Sequence, residues 1–265
     1  MEREVRTHLE LTVTEPADLV VSIAVSSCYV PADETFTATL DGAPVEPSIF
    51  ADHNGTRFHR LQAQPGTLVI DYEVDLTEDA ADTPVDDYDL FAYRLPSRYA
   101  ESDVLSPTAA AEFDGIEPGP DLLAAVSSWV GTQLTYVAGS SGPTDGAVQT
   151  LLARQGVCRD YAHLTTALLR ARGVPARVAA VYAPGLDPME FHAVTEAWID
   201  GAWRVVDATA LAPRQSLVRI ATGRDAADTA FLTVISGRVD LAAMEVTAVV
   251  DALPADDVRD LVSIR

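Results

Sequence analysis

The sequence predicts an α+β protein: an N-terminal antiparallel β-sandwich, then a buried helix packed on a second antiparallel sheet. Three observations carry this reading. Residues 3–76 hold short alternating apolar runs between turn residues, residues 158–172 have helical apolar spacing, and alternation returns after residue 176. Period two marks half-buried strands and a spacing of three and four marks one face of a helix. Strands, then helices, then strands again define the class.

The N-terminal runs span 5–13, 19–25, 35–40, 57–61 and 67–76, and VPADE, LDGAP, DHNGT and QPGT supply the turns. Strands of this length and spacing suit a sandwich. Cys28, inside VSIAVSSCYV, reads as a small apolar strand residue. Residues 77–121 are acidic and proline-bearing and read as an ordered connection. The expected division is a β-rich domain with linker over 1–100 and a second domain over 101–265. In the second, 121–134 is helical, DGAVQTLLARQG is a short helix capped by Thr144 or Asp145, and the late run LAAMEVTAVV is a further strand of the second sheet.

Composition narrows the function classes. The 265 residues carry a net charge of −22, from 40 acids against 18 bases, which repels nucleic acid and anionic membranes. No window approaches the roughly 18 unbroken apolar residues of a membrane span, and the N-terminus lacks a secretory pattern. The expected compartment is the cytoplasm, where Cys28 and Cys158 stay reduced. All 18 bases are arginines and lysine is absent, which fits either a GC-rich coding bias or self-protection by an enzyme that acylates amines. No Cys/His cluster has metal-ligand spacing, so neither metal nor cofactor is expected.

GVCRDYAHLTTALLRARGVPAR sets Cys158 at a helix start, with Leu164, Ala167, Leu168 and Ala171 on the buried face and Gly173 and Pro175 as the stop. Free amides and the positive end of the macrodipole favour a thiolate there and could donate to an oxyanion. Such a nucleophile needs a base. His163 is five positions along the same helix, about 140° around it, and reads as a structural residue or one that supports the site from behind. His8, His53 and His59 belong to the β-rich half, which leaves His192.

His192 opens FHAVTEAWIDGAWRVVDAT, two alternating runs joined by Asp200-Gly201, the dipeptide of a type I′ hairpin. That turn pairs Ile199 with Ala202, Trp198 with Trp203 and Glu196 with Val205. His192, Glu196 and Asp207 then share a face, with Asp207 diagonal to His192 and within reach of its imidazole. A carboxylate there fixes the tautomer and stabilises the imidazolium. Glu196 reads as a rim or salt-bridge residue.

The order GVCRDYAH, FHAVTEAW, WRVVDAT resembles the transglutaminase-like superfamily, in particular its bacterial branch of candidate cysteine proteases with a β-rich N-terminal region. The resemblance spans about residues 90–235, with one departure, Val194 where the family usually has tryptophan. It implies a papain-like or transglutaminase-like core and catalytic roles for Cys158, His192 and Asp207. Tyr136, Trp129, Asp160 and His163 are the further candidates, either to donate to the oxyanion or to support the residues that touch it. Arg224, Asp225 and Asp228 of GRDAADTAF are expected to form a salt-bridged loop. The implied activity is thiol-dependent acyl transfer on peptide or amide bonds through a thioester, in a cysteine protease or amidase acting on a peptide or protein. Three alternatives stand beside it: a glutamine amine transferase, a non-catalytic peptide-binding module, and arylamine acetyl transfer.

Overall fold

The structure is a computed structural model that describes residues 1–81 and 85–265. Its first strand, β1 (Arg3–Val21), joins the expected strand 5–13 to the start of the expected strand 19–25 without a turn, and residues 22–25 fall outside it. Along it, odd-numbered residues point inward, from Val5 to Val13 and again from Ala17 to Val21. The other strands of its sheet are β2 (Asp33–Leu40), β3 (Ala43–Pro44), β4 (Ser48–Ala51), β5 (Arg57–Ala63) and β6 (Gly66–Leu76), in the order β3-β2-β6-β1-β5-β4. Residues 3–13 of β1 pair with β6 and residues 17–21 with β5, so one strand serves two arms of the sheet. Pro16, which cannot donate to a ladder, sits where the register shifts between the arms. Val5, Leu9, Leu19, Leu61, Leu68 and Ile70 close one core between them.

The connection from 77 to 121 is more structured than its composition suggests. It contains α1 (Asp87–Ala92) and α2 (Ser106–Glu112); residues 82–84 of this stretch lie outside the described residues. Next come α3 (Pro120–Gln133), β7 (Thr135–Tyr136), α4 (Ala147–Ala153), β8 (Gln155–Gly156) and α5 (Cys158–Ala171). The cap of α4 is Gly146, not Thr144 or Asp145, because the Asp145 carboxylate turns back to accept from Gly142 N–H at 2.7 Å.

Four antiparallel strands form the second sheet, in the order β11 (Ala202–Val206), β10 (His192–Ile199), β9 (Ala176–Tyr182), β12 (Val218–Gly223). Leu164 and Leu168 of α5 pack with α3 residues Leu122 and Val126 and with Ala176, Ala197 and Val206 of this sheet. Towards its β9–β12 edge the sheet sends Tyr182, Val218 and Ile220 into the core of the first. There Tyr182 donates to the Ile23 carbonyl at 2.7 Å and lies 2.7 Å from the Thr7 hydroxyl.

After α6 (Ala226–Thr229), the chain returns in β13 (Leu232–Val250), which pairs with β1 from Arg3 to Val21. LAAMEVTAVV therefore completes the first sheet instead of extending the second, and the first sheet does not end at residue 100. Alternation identifies a strand but not its partner; here Val246 and Ala248 face the first core. Gly237 is needed at the bend, since a Cβ would meet the Pro16 carbonyl oxygen at 2.2 Å and its φ is +85°. Cys28 is likewise not in a strand. It lies in the 22–32 connection, whose Ser22 and Ser26 amides bond the Phe231 and Arg219 carbonyls.

Glu196, expected as a rim or salt-bridge residue, is a salt-bridge residue and is fully buried, not at a rim. Its carboxylate joins β10 to β9 through Arg177 at 2.9 Å and to β12 through Arg219, while Arg177 lies 4.0 Å over the Trp203 ring. Removing one partner of a buried charge network strands the others in low dielectric. Glu196→Gln should lower stability by about 3–5 kcal/mol, read as a fall in the urea midpoint.

Candidate functional site

Cys158 is the first residue of α5, half-exposed, with extended Val157 before it. Asp160 settles that start: one carboxylate oxygen accepts from the Val157 amide at 2.8 Å and the other from the Ser141 hydroxyl at 2.8 Å. Arg159 fastens the same loop by donating to Ser141 Oγ and the Gly142 carbonyl, both at 2.6 Å. Asp160 thus holds the helix end and the loop over it, without being the oxyanion donor itself. Gly156 lets the carboxylate come so close, because a Cβ there would sit 2.6 Å from that of Asp160.

The hairpin has the register read from Asp200-Gly201. Ile199 pairs with Ala202, Trp198 with Trp203 and Glu196 with Val205, and the turn residues have φ of 52° and 73°. Regular pairing stops at Thr195 and Val206, one residue before Asp207. Beyond it His192 Nε2 and Asp207 Oδ2 stand 2.9 Å apart, both side chains buried. Asp207 Oδ1 accepts from the Thr209 amide and hydroxyl at 2.9 and 2.7 Å, so both carboxylate oxygens are engaged.

These surroundings decide the charge states. Burial works against the imidazolium of His192, but the charge and hydrogen bond of Asp207, with a further contribution from Cys158, push the ring up to about 10. Burial likewise opposes the Asp207 carboxylate, and the His192 charge and the hydrogen bonds from His192 and Thr209 hold it below its ordinary value. Nδ1 of the ring has no oxygen or nitrogen partner among the described residues, which leaves it as the atom open to the thiol.

Tyr136 stands at the same helix end. β7 and β8 pair in parallel, Tyr136 beside Gly156, and the Val137 amide donates to the Gly156 carbonyl at 3.0 Å. The Tyr136 hydroxyl donates to Glu190 Oε1 at 3.3 Å. Burial raises its pKa, the charges of Cys158 and Glu190 raise it further, and a hydrogen bond from the Cys158 main chain opposes them. Glu190, two residues before His192, was not singled out in the sequence. Its only signal is that i, i+2 spacing.

The remaining candidates lie elsewhere. Trp129 packs edge-on against Phe113 in α3 and donates to Glu112 at 2.9 Å. His163 is buried on the far side of α5, stacked on Tyr99 and accepting from the Ala226 amide at 3.1 Å, and burial pushes it down to about 3. Arg224 and Asp228 pair at 2.8 Å, while Asp225 caps α6 and accepts from the Tyr99 amide. His8 pairs with Asp71, His53 with Asp89, and His59 stacks on Phe36. Among the described residues no three His, Cys, Asp or Glu side chains group as metal ligands, and no helix is long and apolar enough to cross a membrane.

The transglutaminase-like superfamily profile matches residues 108–208, the stretch that carries Cys158, His192 and Asp207. Over the whole chain, a crystal structure from Cytophaga hutchinsonii described as a candidate cysteine protease is similar at 33% identity and a TM-score of 0.88, covering 98% of this chain and 96% of that one. The chain belongs to the transglutaminase-like superfamily. Within sequence relatives, an uncharacterised protein of Mycobacterium leprae is 31% identical over 131 residues, 46% of this chain and 47% of the relative. One of Mycobacterium bovis is 36% identical over 102 residues, 37% of this chain and 32% of the relative. The chain thus spans about half or less of the length of these curated relatives. Membership fixes the strand-rich α+β fold with antiparallel sheets.

A raised His192 and a lowered Asp207 have opposite consequences for stability against pH. The histidine contribution is complete below its unfolded value near 6.5 and is lost as pH rises towards 10; the aspartate contribution is present above about 3.9 and is lost in acid. Calorimetry should find Tm declining between pH 6.5 and 10, and Asp207→Asn should flatten that decline.

Proposed function

We propose that this protein is a thiol-dependent acyl-transfer enzyme that hydrolyses peptide or amide bonds, with Cys158 as nucleophile, His192 as base and acid, and Asp207 orienting the imidazole. The observation that carries the reading is the buried 2.9 Å contact of His192 and Asp207, with the thiol-bearing helix end at the other side of the ring. The similar Cytophaga hutchinsonii structure, described as a candidate cysteine protease, supports it.

The chemistry runs in two halves. At rest His192 Nδ1 holds the proton of Cys158 in a thiolate–imidazolium pair; the thiolate attacks the carbonyl, and the oxyanion enters between the Cys158 amide and the Tyr136 hydroxyl. Collapse breaks the C–N bond, and the leaving amine takes the proton from His192, giving a thioester. Water then gives a proton to His192, attacks the thioester, and releases a carboxylic acid and the thiol. An amine in place of water would make the enzyme a transferase. The proposal includes a cytoplasmic location and a peptide or protein substrate.

Iodoacetamide should label one site, Cys158, by intact mass, and His192→Ala should slow labelling and lower kcat/KM about 10²–10⁴-fold. An unreactive Cys158 in a normally folded chain would sink the proposal. Tyr136→Phe should lower kcat about 10²–10³-fold with KM little changed. Mass spectrometry of the products, with and without added methylamine, separates release of a free acid from transfer to the amine.

A further inference from the structure

Tyr136 and Glu190 form a pair that hydrolysis alone does not explain. The Tyr136 hydroxyl lies at the Cys158 amide, where an oxyanion would collect its hydrogen bonds, yet it donates to the Glu190 carboxylate at 3.3 Å. Two costs follow. A donor committed to Glu190 is not free for the oxyanion, and a carboxylate two hydrogen bonds from the nucleophile's amide repels the negative charge that develops there. No salt bridge to Glu190 is present among the described residues. Arg159, the residue after Cys158, is engaged with Ser141, Gly142 and Asp160. Glu190 is half-buried, so its charge is only partly screened by water.

A cation brought by the substrate removes both costs at once. It neutralises the carboxylate beside the oxyanion and weakens the hold of Glu190 on the Tyr136 proton, which can then turn to the carbonyl oxygen. A neutral or acidic substrate leaves the unfavourable charge in place and is selected against.

Building on the thiol-enzyme reading, we infer that Glu190 is a specificity residue that recognises a cationic side chain, arginine or lysine, on the acyl side of the cleaved bond. Recognition is coupled to turnover through Tyr136. Glu190 is a binding group and Tyr136 the oxyanion donor that it restrains.

Two experiments separate this inference from the proposal beneath it. The first needs no turnover: Cys158 is labelled with a cationic methanethiosulfonate (ethylammonium) and an anionic one (ethylsulfonate), and the rate ratio is compared with that of Glu190→Gln. Because the whole chain is acidic, Glu46→Gln, an exposed carboxylate of the first half, serves as the equal-charge control. The cation-to-anion ratio should fall about tenfold in Glu190→Gln and stay unchanged in Glu46→Gln. Equal ratios in the two variants would overturn the inference even where Cys158 is fully reactive.

The second compares blocked peptide amides carrying arginine or its neutral isostere citrulline at each of the two residues before the cleaved bond. The wild type should favour arginine about tenfold or more in kcat/KM at one of these positions, and Glu190→Gln should abolish the preference, by raising kcat for the citrulline peptide and KM for the arginine peptide. No preference in the wild type, a preference that survives Glu190→Gln, or one confined to amine acceptors would each overturn the assignment. Loss of all turnover with Cys158 still open to the methanethiosulfonates would count against the enzyme reading instead, and the labelling ratio would then decide the role of Glu190 on its own.

Discussion

The register of one hairpin governs this molecule. With Asp200 and Gly201 both at positive φ, β10 and β11 meet with Trp198 opposite Trp203, and no other register of the pair is compatible with that two-residue turn. From it follow the meeting of His192 with Asp207 and the inward direction of Glu196 towards Arg177 and Arg219. A slip of one residue would turn both histidine and glutamate to the opposite face. The thiol then needs only a helix end at the right height, which Asp160 and the 141–142 loop supply.

What was legible in the sequence was local. The helix from Cys158, the Asp-Gly hairpin and the inward face of residues 68–76 all follow from periodicity and turn chemistry within about twenty residues. What was not legible was long-range. The pairing of β13 with β1 spans more than two hundred positions, and alternation cannot name a partner. The runs 5–13 and 19–25 read as two strands, yet the chain passes through Pro16 between them because a register shift absorbs the missing donor. Glu196 read as a rim or salt-bridge residue, and its burial was hidden because the two arginines that make it tolerable come from β9 and β12. Glu190 escaped for a similar reason: its hydrogen-bonding partner, Tyr136, is supplied by a separate loop.

The buried cations also bear on the all-arginine composition. Arg170 donates to the Ala176, Leu95 and Arg224 carbonyls and to Ser97 Oγ, joining the end of α5 to three other segments. Arg214 grips Asp256 and the Val205, Asp260 and Asp257 carbonyls, and so fastens the C-terminal segment along β11. A planar fork with five donors can serve four acceptors at once, whereas an ammonium has three donors around a point. At these sites lysine would leave buried carbonyls unpartnered.

The return of the chain in β13 makes residues 77–231, which carry Cys158, His192 and Asp207, an insertion between two strands of one sheet. For a chain emerging from the ribosome, β1 has one edge served early by β5 and β6, while the other stays open until β13 has been made. Pairings so distant in sequence close slowly, and an open edge is exposed to association with other chains. The thiol-bearing core therefore has its own sheet available before the scaffold around it is shut. In this topology the last strand acts as a clasp.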